Sequence, residues 1–282
     1  MRRLARAKVN LYLHVQGRRP DGYHVLDSLV VFADVGDTVE LIPAERASLI
    51  VDGPLAPLIA DVPAERNLAW KAAQLLLHEA DADQHFAIRI TKRIPPAAGL
   101  GGASADAAAV LHLLNERLSL NLASAELQGL ALRLGADVPA CIVGRRLFFS
   151  GIGEVLQAAP DLPPLHLVLV WPGQGLSTPA IFAALRDGPL PERTERPQLD
   201  VGSAIPALAR ARNDLQPIAE RLLPVVADVV DALTAQAGCV LARMTGSGSA
   251  CFGVFHAPAA ASAAAAAIEA HHPTWWTGAA TA

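Results

Sequence analysis

The chain has 282 residues, 52% of them hydrophobic and 18% charged, with a net charge of -4. A mean hydropathy of +0.32 excludes a disordered chain, and the length suits one large domain or two closely associated ones. Lysine and arginine are scattered, which argues against a nucleic-acid surface, and Cys141, Cys239 and Cys251 form no CxxC pair, which indicates neither a disulfide framework nor a zinc site. A small-molecule substrate and a reducing cytoplasm are the expectation.

The basic start, MRRLARAKVNLYLHV, is like a leader, but Asn10 and His14 interrupt its apolar run and no small-residue cleavage site follows, so it is read as mature protein. No uncharged apolar run approaches the roughly 20 residues of a membrane helix, so no membrane partner is expected. In AKVNLYLHV, Val9, Leu11, Leu13 and Val15 alternate with Lys8, Asn10, Tyr12 and His14, the period of a half-buried strand, which places Lys8 and Asn10 on one face. GRRPDGYH follows as a turn, and SLVVFADVGDTVELI reads as two strands around Asp34 to Asp37, so an antiparallel sheet opens the chain.

Asn67 is placed to cap a helix running to about Glu79, and FAIRI is a strand leading into ITKRIPPAAGLGGASADAAAVLHLLNE. There a glycine turn precedes a helix with Ala107, Val110, Leu111 and Leu114 on its apolar face. A further helix spans about Ser124 to Leu134, stopped by Gly135, with GADVP at its exit. RRLFFSGIGEVL returns to strand character, and AAPDLPP, Ala158 to Pro164, is the best linker. The domains are therefore expected at residues 1–158 and 159–282. The second gives a strand from Leu165 to Val170, helices from about Thr178 and Asn213, and a strand, turn and strand in LARMTGSGSACFGVF. The alanine run from Pro258 to Ala270 is expected to be a packed helix, because alanine has the best helix propensity and proline suits a helix start. The fold class is α+β, the second half fitting a split βαβ sandwich.

Gly99, Gly101 and Gly102 allow positive φ and close backbone approach, and the helix that follows aims unpaired N–H groups at the same place, which favours an anion. The P-loop pattern fails because no lysine follows the glycines. The dinucleotide pattern fails because Ser104 stands in place of the third glycine. Taken alone, the turn also fits simple close packing of a helix.

PPAAGLGGASA resembles the ATP loop of the GHMP kinases, with Pro95, Gly99, Leu100 and Gly101 on a PxxxGLG core and Ser104 following. AKVNLYLHVQGRRPDGYH and LGADVP resemble the branch of that superfamily that acts on a cytidine-diphosphate-linked methylerythritol in non-mevalonate isoprenoid synthesis. SGIGE, STPAIF, RNDL and TGSGSACF continue the likeness over nearly the whole chain.

This resemblance implies a two-domain fold: an ATP-binding domain like the second domain of ribosomal protein S5, then a ferredoxin-like α/β sandwich. It implies ATP-dependent phosphorylation of the 2-hydroxyl, with Asp137 as base, Lys8 as its cationic partner and Mg2+ accompanying ATP. ATP would be held by Pro95, Pro96, Ala97, Ala98, Gly99, Leu100, Gly101, Gly102, Ala103, Ser104 and Ala105, with Asn67 and Lys92 contributing. The cytosine would lie between Tyr23 and Phe182 with His24 on its edge. Asn10 would contact the sugar alcohol, and Gly246, Ser247 and Gly248 the substrate phosphates. A monomer or weak homodimer, without nucleic acid, is expected.

Each of these residues has a plainer alternative. Asp137 and Asn67 fit helix caps, Lys8 a solvated strand, Lys92 an exposed strand end, His24 a surface loop, Phe182 a core position, and residues 244–252 an ordinary β-turn. Ala97, Ala98 and Ala103 stand where relatives often carry glycine, and negative φ is expected at all three. Asp106 would repel phosphates unless turned away or bridged by Mg2+, and metal ligation is left open, with Ser104 the first candidate to contribute. The alternative functions are a homoserine- or mevalonate-type kinase and a silent nucleotide sensor.

Overall fold

The computed structural model describes residues 1–200 and 202–282. By internal packing the chain forms two compact units assembled from separated stretches. Unit 1 comprises Met1–Lys8, Gly36–Pro96 and Gly101–Arg145, and unit 2 comprises Val9–Val35, Ala97–Leu100 and Arg146–Ala282. Two long strands, β1 (Arg2–Arg18) and β2 (His24–Pro43), contribute residues to both. The sequence predicts a turn at Asp34 to Asp37, but β2 runs straight through it. Gly36 serves close approach instead, since a Cβ there would lie 2.2 Å from the carbonyl oxygen of Ala5.

In unit 1, β4 (Phe86–Thr91) pairs antiparallel with the second half of β2 and parallel with β3 (Ser48–Asp52), so the opening sheet is mixed where an antiparallel one was expected. The helices are α1 (Leu68–Glu79), α2 (Gly102–Arg117), α3 (Ser124–Leu132) and α4 (Val138–Val143), with α2 packed on α1 and α4. Small alanines let α2 pack closely, and every residue from Ala105 to Leu111 is buried.

In unit 2, the first half of β2 pairs with β5 (Leu147–Gly151), and β5 with β6 (Val155–Ala158), both antiparallel. Residues 159–165 carry no helix or strand before β7 (His166–Trp171). The helices α5 (Thr178–Arg186), α6 (Ala204–Arg210), α7 (Gln216–Leu222) and α8 (Val225–Thr234) precede β8 (Cys239–Met244) and β9 (Cys251–Phe255), and α9 (Pro258–His271) and β10 (Trp276–Thr281) end the chain. An antiparallel sheet ordered β10, β7, β9, β8 carries α8 and α9. The alanine-rich run is thus a packed helix begun by Pro258, as its propensity predicts. Val168, Val170, Val226, Val229, Phe255 and Ile268 share one buried cluster with Leu13 and Val15 of β1.

Candidate active site

The sequence predicts a half-buried β1, but Ala7 to Val15 are buried on both faces. Lys8 is therefore no solvated strand lysine: it is 3% exposed, and its Nζ donates to Asp137 Oδ1 at 3.0 Å. Exposure within the pair is lopsided, 4% for the lysine side chain and 46% for the aspartate. Asp137 flanks the start of α4, yet its side chain makes no capping bond, so the plainer cap alternative fails and the carboxylate serves Lys8. The stem of Lys8 lies against Gly101, where a Cβ would meet Lys8 Cβ at 3.0 Å and Cε at 3.2 Å.

Gly101 is also the N-cap of α2, with φ +67° and no side-chain capping bond. The first N–H groups of a helix have no intrahelical partner, so Gly102, Ala103 and Ser104 present donors and the positive end of the dipole. Pro95, Pro96 and Ala105 complete this part of the loop in unit 1. Lys92 is not the exposed strand-end charge that its position suggests. It is 3% exposed, and its Nζ donates to Asp37 Oδ2 and, at 3.0 Å, to Asp106 Oδ2. Burial opposes the charge of Lys92, but Asp106 and Asp37 outweigh it and hold the ammonium above the ordinary lysine value. Asp106 is turned into this cluster, its carboxyl pushed up to about 7 by burial, with Asp37 adding and Lys92 opposing. Asn67 caps α1, accepting from the Ala69 N–H at 2.9 Å.

Residues 97–100 of the loop belong to unit 2, where they lie against the second glycine turn. At Gly99, φ +76°, a Cβ would be 2.5 Å from the carbonyl oxygen of Thr245 and 3.0 Å from Gly248 N, and Ala250 N–H donates to Ala98 O at 2.9 Å. Ala97 corrects one expectation: its φ is +51°, whereas Ala98 and Ala103 are not among the positive-φ residues. The turn needs a left-handed residue there and tolerates alanine at a cost of roughly 1–2 kcal/mol. In the second turn, Gly248 N–H donates to Thr245 O at 3.0 Å, an ordinary β-turn bond, and Ser247 Oγ meets Thr178 Oγ1 at 2.6 Å. Gly246 has φ +56°, and a Cβ there would be 2.9 Å from Gly99 O. Asn10, 1% exposed, donates its N–H to Thr245 Oγ1 and its Nδ2 to Ser28 Oγ, both at 2.8 Å.

His24 and Phe182 come together, ring centroids 5.5 Å apart and planes at 25°, whereas Tyr23 is 61% exposed. His24 Nε2 is buried without a hydrogen-bond partner, and burial, then Arg18 and Arg186, holds the imidazole below its usual value and neutral at pH 7.

Sequence reasoning missed Asp37, which sits in a segment read as a turn, and Asn213, whose Nδ2 donates to Met244 O at 2.9 Å and Gly246 O at 2.8 Å. Nothing local marks Asp37, whose partners are distant in sequence, and Asn213 is marked only by the RNDL motif. A cleft of about 690 Å³ in unit 2, lined by Leu185, Pro189, Arg212, Gln216 and Arg243 among others, contains none of the predicted site residues.

The family model for the GHMP kinases N terminal domain matches residues 67–145, and that for the GHMP kinases C terminal matches residues 198–274. The 4-diphosphocytidyl-2-C-methyl-D-erythritol kinase of Paramagnetospirillum magneticum is 49% identical over 274 residues, 96% of this chain and 95% of that protein. The protein of the same name from Cereibacter sphaeroides is 49% identical over 280 residues, with 96% and 95% covered. A crystal structure of 4-(cytidine 5'-diphospho)-2C-methyl-D-erythritol kinase superposes with a TM-score of 0.81 at 37% identity, covering 100% of this chain and 98% of the other. With nearly half its residues shared along almost its whole length, the chain belongs to the 4-diphosphocytidyl-2-C-methyl-D-erythritol kinase family of the GHMP kinases.

Proposed function

We propose that the protein transfers the γ-phosphoryl group of ATP to the 2-hydroxyl of 4-diphosphocytidyl-2-C-methyl-D-erythritol, giving the 2-phosphate and ADP. The observation that carries this reading is the Lys8–Asp137 pair, a buried ammonium at 3.0 Å from a half-exposed carboxylate. Asp137 presents a carboxylate oxygen to an incoming hydroxyl, with the Lys8 ammonium beside it. The hydroxyl proton passes to Asp137 as its oxygen bonds to the γ-phosphorus. The bond from that phosphorus to the bridging oxygen breaks, and its electron pair leaves with ADP. Lys8 stabilises charge developing on the transferred group.

Residues 95–105 hold the phosphates through backbone N–H groups and the start of α2, and Asn67 lies toward the nucleoside. Lys92 acts through the loop it anchors. Cytosine stacks on Phe182 beside Tyr23, with the unpartnered His24 Nε2 supplying a hydrogen bond, and Asn10 and Gly246 to Gly248 border the acceptor. The donor set that fits Mg2+ is chiefly the phosphate oxygens of ATP, where the ion neutralises charge, because no group of three His, Cys, Asp or Glu side chains among the described residues is placed to hold a metal. Sequence domains at 1–158 and 159–282 are supported by family matches falling on either side of that division. Three free cysteines support a cytoplasmic setting, and a monomer or weak homodimer is the assembly proposed.

ADP release by purified protein on the cytidylyl substrate, homoserine and mevalonate, beside Asp137→Asn, tests this reading. Turnover of the cytidylyl substrate alone, with kcat lowered about 10²–10⁴-fold in the variant, is expected. Turnover of homoserine without the cytidylyl substrate overturns it.

A further inference from the structure

We infer that Asp37 is a positioning residue for the nucleotide loop, a single buried carboxylate that fixes both ends of the part of that loop held in unit 1. The inference rests on the kinase reading above. Asp37 is 0% exposed and belongs to β2. Its Oδ1 accepts the N–H groups of Arg93 at 2.6 Å and Ile94 at 2.9 Å, the two residues immediately before Pro95 and Pro96. Its Oδ2 accepts from Lys92 Nζ, and that same ammonium donates to Asp106 on α2.

The incoming and outgoing arms of the loop are thereby tied to one point on a strand. The main chain at Lys92 is held as well: its N–H donates to Asp52 O at 2.7 Å, its carbonyl accepts from Leu55 N–H at 3.3 Å, and a Cβ at Gly53 would come within 2.7 Å of its oxygen. Above the cluster sits the first residue of α2, since a Cβ on Gly102 would lie 3.6 Å from both Asp37 Oδ2 and Lys92 Nζ. The N–H groups that face an anion are the next ones along this helix. Their direction is therefore set by a cluster in which one ammonium joins two carboxylates, with Asp37 also accepting two backbone N–H groups and Asp106 Oδ1 left without a hydrogen-bond partner.

Such an arrangement commits a lysine close to the loop to two buried carboxylates. Ammonium and carboxylates at this burial are costly to leave unpaired, so the cluster has one low-energy arrangement, and the arms it joins have one as well. A shift of about 1 Å in catalytic geometry is enough to matter to a phosphoryl transfer that depends on positioning.

Steady-state kinetics and calorimetric binding of a non-hydrolysable ATP analogue with Mg2+ test this in full-length Asp37→Asn, Lys92→Met and the double variant. Asparagine keeps the acceptor for the Arg93 and Ile94 N–H groups and replaces the oxygen that receives Lys92 with an amide N–H2, which breaks the ion pair and sets two donors against each other. Each single variant is expected to raise the KM for ATP and the analogue Kd about tenfold with the KM for the acceptor unchanged, and the double variant no more than either single. A merely structural role would lower Tm and the active fraction while leaving both KM values in place, and that result overturns the inference. Additive effects in the double variant also overturn it, because they would mean that Lys92 meets the phosphates itself. Should Asp37→Asn not fold, Asp106→Asn takes its place in the same cycle, with an unmoved KM for ATP counting against the inference. Wild-type protein without turnover overturns the kinase reading instead, so the two failures are distinguishable.

Discussion

Gly99 and Ala97 are two residues apart in one turn, both left-handed, and they respond to a methyl group in opposite ways. At Gly99 an added Cβ meets backbone at 2.5 Å, which no side-chain rearrangement relieves. Gly99→Ala is expected to cost about 2 kcal/mol or more in urea unfolding, combining the left-handed penalty with the clash. Ala97→Gly removes a left-handed penalty of about 1–2 kcal/mol but loosens the unfolded chain by about 0.4–1 kcal/mol, so its stability should lie between that of wild type and about 1.6 kcal/mol above it. A neutral Gly99→Ala, or a strongly destabilised Ala97→Gly, would show that the turn is built differently. The glycines of this loop were legible in sequence because a required positive φ leaves a mark on residue type. Ala97 was not, since the same conformation had been filled by a residue that does not advertise it. Lys8 and Asp137 were legible as a pair only through the motifs around them, because a strand lysine and an aspartate two residues before a proline each have commoner uses.

Residues 187–200, which follow α5, carry no helix or strand, yet they are fastened at several points. Gln16 Nε2 donates to Thr194 O at 2.6 Å, and Arg212 donates to Glu192 O. Arg196 donates to Asp27 Oδ1 and to Gln157 Oε1, its guanidinium 4.3 Å over the Phe148 ring, while Tyr12 Oη–H donates to the other oxygen of Asp27 at 2.6 Å. Arg196→Met is expected to cost about 1–3 kcal/mol, since Asp27 is left buried with half its partners while the arginine itself is a third exposed. Limited proteolysis should then cut residues 187–200 several-fold faster than in wild type, and equal cleavage rates would mean that the other ties suffice. Of the regular elements of this half, β7, α5, β8, β9 and α9 were legible from periodicity and alanine propensity, whereas α6 and β10 were not. These fastenings were not, because partners such as Asp27 and Arg196 stand 169 positions apart and neither neighbourhood encodes the other.

Over the whole molecule, buried ionisable groups pull stability in two directions with pH. His14, His24 and His112 are each held below the usual histidine value, first by burial, so the unfolded chain takes up protons more readily and stability is lost as pH falls below about 6.5. Asp106 acts oppositely: with its folded value raised to about 7, it favours the folded state at acid pH and withdraws that contribution as pH rises from about 4 toward 7. In Asp106→Asn the urea midpoint should therefore fall more steeply between about pH 7.5 and about pH 5 than in wild type, and parallel profiles would remove Asp106 from the balance. The α+β class was legible at this scale, but β3, α4, α6, β10 and the assembly of each unit from separated stretches were not. No composition shift marks where β1 passes from one unit to the other. That assembly governs how the chain can fold during synthesis. Leu13 and Val15 join a buried cluster completed by Val168, Phe255 and Ile268, and Asp214 accepts the Val15 N–H at 2.7 Å while donating its own to Leu13 O at 2.8 Å. Residues 159–282 expressed alone should therefore lack a cooperative transition, and co-expression with residues 1–158 should restore one; a cooperative melt of the fragment by itself would refute this. The strand that leaves the ribosome first has to wait for nearly the last to arrive.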